Sequence, residues 1–164
     1  MKTRKKRSRG GFTLVEMLCT IVVLLLLSGL LATGVRLGVF SFRKSVMASE
    51  SQVLCTTLRT IVSDELRYAG TTTAENRTVK FFSQNYGEGS SFSQNDDGQV
   101  VIIDEDGAEN KLLSSRAYPY GMKAKVSDFT YNESSGIFTA SVTVTDSGDN
   151  ELASSTFEVE KLNK

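Results

Sequence analysis

The stretch that decides the fold is Gly10-Gly11-Phe12-Thr13-Leu14-Val15-Glu16-Met17, which runs directly into an apolar segment that ends at Val35. Before it stand six basic residues and no acidic one, namely Lys2, Arg4, Lys5, Lys6, Arg7 and Arg9. A single carboxylate, that of Glu16, lies just inside the apolar run. A basic leader followed by a long apolar helix predicts a membrane-associated chain, because blocks of Lys and Arg stay on the cytoplasmic side of a membrane.

The apolar run from Met17 to Val35 holds 19 residues without a charge. As a helix that rises ~1.5 Å per residue it would cover about 28 Å, close to the ~30 Å hydrocarbon core of a bilayer. We therefore predict a cytoplasmic leader over residues 1–11 and a membrane-spanning helix over residues 12–36. Gly34 and Gly38 lie on one helix face, which permits close helix packing but is equally ordinary glycine usage in a membrane helix.

Beyond Arg36 the apolar pattern becomes that of an amphipathic helix. One face carries the apolar positions Leu54, Leu58, Ile61, Val62, Leu66 and Ala69. Gly70 follows, and glycine commonly ends a helix at this place. We predict one helix from about Phe12 to Ala69, whose second half, residues 37–70, packs on a soluble domain.

Residues 71–164 read as an extracytoplasmic antiparallel β domain. The predicted strands lie at 79–82, 100–103, 111–113, 126–131, 137–145 and 152–159. In the strand 137–145 apolar residues alternate with hydroxyl residues, so one face is predicted to pack on the helix. Residues 83–98 are polar and rich in Ser, Gly, Asn and Asp, which predicts a long surface loop.

The composition argues against several function classes. With six of the 19 basic residues in the leader, the remaining chain carries 13 basic and 19 acidic residues, a net charge of −6. An acidic body disfavours a general nucleic-acid surface, so we expect no direct nucleic-acid contact. The chain has no histidine, the commonest general base and metal ligand. It also lacks phosphate-loop, nucleophile-elbow and metal-ligand spacings, so we expect no catalytic residue, cofactor or metal site.

Two weaker signals concern cysteines and acidic turns. Cys19 and Cys55 lie 36 residues apart in the predicted helix, about 54 Å and far beyond disulfide reach. Cys55 is predicted to be buried or half-buried. The turns at 95–98 and 104–107 could donate oxygens to calcium, but neither has the EF-hand spacing, and polar turns at strand ends are the ordinary interpretation.

Glu16 separates two interpretations of the N-terminus. Ala32-Thr33-Gly34 could serve as the cleavage site of an ordinary secretory signal peptide, yet the core of such a signal normally holds no charge. An ionisable group in a spanning helix is costly and by default functional. If the chain were cut between Gly11 and Phe12, the Glu16 carboxylate of one copy could pair with the new Phe12 amine of a neighbour, which would set the register between their helices.

Gly11-Phe12-Thr13-Leu14-Val15-Glu16 with the following apolar helix resembles the class III signal of type IV prepilins and type II secretion pseudopilins. The resemblance implies cleavage after Gly11 and N-methylation of Phe12, both by a membrane-embedded prepilin peptidase. It implies that Glu16 assists methylation and pairs with a neighbouring subunit. It also implies an α+β, pilin-like fold, and extraction of subunits by an assembly platform and its ATPase into a filament with other pilin or pseudopilin subunits.

From these observations we expect a non-enzymatic structural subunit, a pilin or minor pseudopilin of a pilus, a secretion pseudopilus or, least favoured, a DNA-uptake pseudopilus. The expected location is the cytoplasmic membrane, with a cytoplasmic N-terminus, and then a cell-surface filament. The alternatives are a single-pass anchored extracytoplasmic binding or sensing protein that never polymerises, and a secreted domain released by ordinary signal peptidase. Thr33 and Gly34 stand where many relatives have a helix proline, and a C-terminal disulfide loop cannot form.

Overall fold

The computed structural model describes residues 11–75 and 78–162 of the chain. One long helix, α1 (Leu14–Arg67), is followed by β1 (Thr72–Glu75), β2 (Thr78–Ser83), β3 (Gly87–Gln94), β4 (Val100–Ile103), β5 (Glu109–Lys111), two short 3-10 turns (Ser115–Ala117 and Pro119–Gly121), β6 (Lys123–Asn132), β7 (Ile137–Thr145) and β8 (Glu151–Glu160). This is the predicted α+β, pilin-like layout. Ten residues of the predicted leader, 1–10, lie outside the described residues.

The chain divides into two compact units, up to Lys44 and from Ser45 onward. In the first unit the described side chains from Gly11 to Lys44 are all exposed, apolar ones included. Its hydroxyl groups bond to carbonyls of the preceding turn: Thr20 Oγ1 donates to the Met17 carbonyl at 2.8 Å and Ser28 Oγ to the Leu24 carbonyl at 2.7 Å. Hydroxyls satisfied in this way need no water, which suits a helix in lipid.

In the second unit, the C-terminal part of α1 buries one stripe of side chains. Its members are Ser51, Leu54, Cys55, Leu58, Val62 and Leu66. They pack with the apolar residues of β7, where Phe138, Ala140, Val142 and Val144 are buried as the alternation predicts. The Cys55 thiol, predicted to be buried, lies 3.7 Å from the Val142 carbonyl. Of the predicted stripe only Ile61 is not fully buried.

All strands pair antiparallel, in two sheets of orders β1-β2-β3-β4-β5 and β6-β7-β8. The predicted surface loop over residues 83–98 is wrong, because β3 occupies its centre. β3 pairs with β2 through Phe81 and Ser90, and with β4 through Phe92 and Ile102. Its few apolar residues gave no alternating pattern, yet Ser90 is buried and Phe92 packs against the core.

A β-bulge in β6 carries aromatic rings into the core. The register against β7 shifts between Ser127 and Thr130, and Asp128 adopts a left-handed φ of 51°. The extra residue turns the Phe129 ring toward the rings of Phe92 and Phe138, at centroid distances of 5.5 and 5.9 Å. A bulge of this kind re-aims one side chain. Beyond it, the residues that point toward the core shift by one position along the strand.

The two sheets are joined at Gly98. Its carbonyl accepts a hydrogen bond from the Ala124 amide at 2.8 Å, while Gln94 Nε2 donates to the Ala124 carbonyl at 2.9 Å. A Cβ at position 98 would lie 2.5 Å from Cγ of Lys123, and φ is +75°. Glycine is therefore required where β6 approaches this turn.

The C-terminal end of α1 and the residues after it are hydrogen-bonded to Lys161 and Leu162. The Leu162 amide donates to the Arg67 carbonyl at 2.9 Å, and Lys161 Nζ donates to the Gly70 carbonyl. Arg67 is the last residue of α1, so the helix ends two residues before the predicted Ala69. The first bond satisfies a carbonyl that a helix terminus otherwise leaves without a partner.

Candidate processing and assembly site

Thr13 is the N-cap of α1. Its side-chain Oγ1 accepts a hydrogen bond from the Glu16 backbone amide at 3.2 Å, and its carbonyl accepts one from the Met17 amide at 3.2 Å. Threonine at the N-cap with glutamate three residues later is the capping-box pattern. The sequence contains this signal as Thr13-Leu14-Val15-Glu16, but we did not predict the cap.

The cap brings the predicted site residues to one place. Gly11 and Phe12 directly precede the cap, and Glu16 lies in the first helical turn. A carboxylate there is favoured by the positive end of the helix dipole. Phe12 is 74% exposed. Within the part of the chain that the structure describes, the Glu16 carboxylate has no ion-pair partner, so it is accessible to a cation from outside the chain.

The helix that follows can cross a membrane. It is the one helix among the described residues that is long and apolar enough, with a mean hydropathy of 2.6 over its most apolar window and none of that window buried. Leu24 to Leu27 are 52 to 68% exposed. Apolar surface on this scale is unstable in water and needs lipid or other apolar helices around it.

The second unit, from Ser45 onward, contains a cleft. It measures about 280 Å³ and lies between α1 and the segment 113–120. Its polar side chains are Glu50, Thr57, Arg116 and Tyr120. No hydrogen bond or ion pair joins any two of these four in the described structure, so nothing there activates a nucleophile. The absence of catalysis stays a prediction.

The remaining chemically suggestive groups have structural partners. The Asp104 carboxylate accepts hydrogen bonds from the Ala108 amide at 2.8 Å and from Asn110 Nδ2 at 3.3 Å, which closes the acidic turn. Asp97 lies 3.8 Å from the Lys111 ammonium. Among residues 11–75 and 78–162 no acidic, Cys or His group of three or more could hold a metal ion. Burial raises the pKa of the Cys55 thiol, partly offset by Arg59, which disfavours a reactive thiolate.

Comparison with known proteins gives one match. Residues 6–32 match the family model of the prokaryotic N-terminal methylation motif. The chain therefore carries a type IV pilin-like prepilin signal, whose span includes Gly11, Phe12 and Glu16. The motif implies prepilin-peptidase processing and pilin-type assembly in general, its family is structural rather than enzymatic, and with the apolar helix it supports membrane anchoring. No curated protein and no solved structure matches the chain.

Proposed function

We propose that the protein is a structural subunit, a pilin or minor pseudopilin, of a type IV pilus-like filament. The observation that carries the proposal is the methylation motif over residues 6–32, which runs into a helix whose apolar side chains are all exposed as far as Lys44. A prepilin peptidase cuts between Gly11 and Phe12 and methylates the new Phe12 amine. An assembly platform and its ATPase then move the subunit from the cytoplasmic membrane into a filament at the cell surface.

In this proposal Glu16 provides the directional contact between subunits. After the cut, the free amine at Phe12 stands one residue before the Thr13 cap, and Glu16 lies in the next turn. The carboxylate of one copy pairs with the amine of a neighbour. Apolar helix contacts alone do not set an axial register, so a charge pair in a low-dielectric filament core adds that specificity.

The first test is the mass of the mature N-terminus. Cells with an active prepilin peptidase should yield a chain that starts at a methylated Phe12. Gly11→Val should leave the precursor uncut, while Gly10→Val, at the neighbouring glycine, should be processed normally. A mature N-terminus near Val35 would instead identify an ordinary secretory signal, and an uncut wild-type chain would identify a simple membrane anchor.

The second test concerns assembly. Glu16→Gln should remove the protein from sheared surface fractions while the membrane pool persists, whereas Glu50→Gln, which neutralises the next carboxylate along α1, should assemble normally. If the wild type is processed but never enters sheared fractions, the protein is an anchored extracytoplasmic domain that does not polymerise.

A further inference from the structure

A second charged feature of α1 lies at the other end of the apolar run. Residues 36–44, here named the basic collar, contain the cations Arg36, Arg43 and Lys44, and no acidic residue occurs between Met17 and Ser49. The proposed processing and assembly steps make no use of these three charges. In the described part of the chain none of them has an ion-pair partner, and all three are exposed.

Large apolar side chains interleave with these cations. Phe40 is 69% exposed and Phe42 is 70% exposed. Arg36, Phe40 and Arg43 follow the i, i+4, i+7 spacing, so they lie on one helix face. Lys and Arg together with Phe or Leu are the combination found on helices at the membrane interface.

The collar also begins where the hydrocarbon span ends. Arg36 directly follows the 19 uncharged residues. Nine helical residues rise about 13 Å, and the polar layer on each side of the hydrocarbon core is roughly 5 to 8 Å thick. The long Arg and Lys side chains can bend back along the helix toward that layer. With the helix in a bilayer, all three cations reach phospholipid phosphates.

We propose that the basic collar docks on anionic phospholipid headgroups at the C-terminal end of the membrane span. The inference goes beyond filament assembly and depends only on membrane anchoring. A failure of the proposed function would therefore not contradict it. The collar holds the helix at its depth in the bilayer. Continuity with the span selects lipid over the competing partner, the globular region of another copy, where residues 50–164 carry 10 basic and 18 acidic side chains.

The test uses the full chain in bilayer discs of phosphatidylcholine doped with phosphatidylglycerol. Native mass spectrometry then measures which lipids stay bound. The wild type should retain phosphatidylglycerol in preference to phosphatidylcholine. A basic residue near a membrane surface contributes roughly a fivefold preference for anionic lipid, so Arg36→Gln/Arg43→Gln/Lys44→Gln should lower that preference at least about tenfold.

Two matched variants complete the test. Lys80→Gln/Arg116→Gln/Lys125→Gln removes three exposed cations of the globular unit and should keep the preference. Arg36→Lys/Arg43→Lys keeps the charge and should keep it too. An unchanged preference in the triple collar variant overturns the proposal. So does a collar variant that keeps the lipid preference but loses cross-linking between copies, because the collar would then contact another subunit.

Discussion

The backbone amide of Glu16 donates a hydrogen bond to the hydroxyl oxygen of Thr13, 3.2 Å away, at the start of α1. The contact separates two roles that the sequence places side by side. Thr13 supplies the cap of the helix, and it uses only the backbone of Glu16. The carboxylate of Glu16 is left for a partner outside the chain, which makes the two roles separable by mutation.

Thr13→Ala and Glu16→Gln should have different consequences for assembly. Loss of an N-cap costs ~1 kcal/mol of helix stability but leaves the carboxylate in place, so Thr13→Ala should reduce the sheared filament yield only modestly. Glu16→Gln keeps the cap and should abolish the yield. Thr13→Ser retains a capping hydroxyl and is the control. If Thr13→Ala were as severe as Glu16→Gln, helix capping would account for both residues.

The buried hydroxyl of Tyr118 supports β4. It accepts a hydrogen bond from the Val100 amide at 3.1 Å, and Tyr118 is 8% exposed. Tyr118→Phe leaves that buried amide without its acceptor, which should lower the free energy of unfolding by about 1–3 kcal/mol. Urea denaturation of the full chain in detergent measures the loss. Tyr120→Phe, at a tyrosine that is 63% exposed, should change stability by less than ~0.5 kcal/mol.

The bulge in β6 depends on the backbone at Asp128. A φ of 51° is uncommon for a residue with a side chain and worst for a β-branched one. Asp128→Val should therefore destabilise the fold by about 1–2 kcal/mol, whereas Asp128→Gly should stay within ~1 kcal/mol of wild type. Thr130→Val, at an exposed position of the same strand, is the control for added β-branched bulk. A wild-type melting temperature for Asp128→Val would show that the bulge is not needed.

The turn after β7 should respond to acid. The Asp146 carboxylate accepts hydrogen bonds from the side chain and backbone of Asn150 and from the Gly148 amide, and with the nearby Lys123 ammonium these hold its pKa below the usual range. A lowered folded-state pKa gives stability that is present above the unfolded pKa of about 4. That stability is lost as the pH falls through the folded value.

Asp146→Ala should consequently be less stable than wild type at neutral pH, and the gap between the two should close on acidification. Melting temperatures recorded from neutral pH to below about pH 3 measure that gap. Asp96→Ala, which removes an exposed carboxylate without a described partner, should leave the profile unchanged. A gap between wild type and Asp146→Ala that stays constant with pH would contradict the argument.

Helices and strands could be predicted from the sequence where the apolar residues recur with one clear period. The apolar run, the stripe around Leu58 and the alternation from Phe138 to Val144 predicted α1 and the last three strands. β3 was not predicted because Gly87, Gly89 and the three serines of the strand show no such period. That strand is stabilised by neighbours on both sides, which only the tertiary structure supplies.

The N-terminal site was predictable to a different degree. The residue types around Gly11, Phe12 and Glu16 indicated a processing signal, and the methylation motif agrees with that interpretation. The Thr13 cap has a sequence signal of its own, because threonine followed three residues later by glutamate is the capping-box pattern. The bulge was also readable, because inward residues of β6 move from even positions at Ala124 and Val126 to odd positions at Phe129 and Tyr131.

The bond between the Leu162 amide and the Arg67 carbonyl has a consequence for biogenesis. The last turn of α1 gains this partner only after Leu162 has been synthesised, 95 positions after Arg67 in the sequence. Contacts so distant in sequence form late and slow the folding of a domain. A subunit interrupted during export would therefore lack the hydrogen bond at the C-terminal end of α1. A tag fused directly after Leu162 would lie beside this late-forming contact.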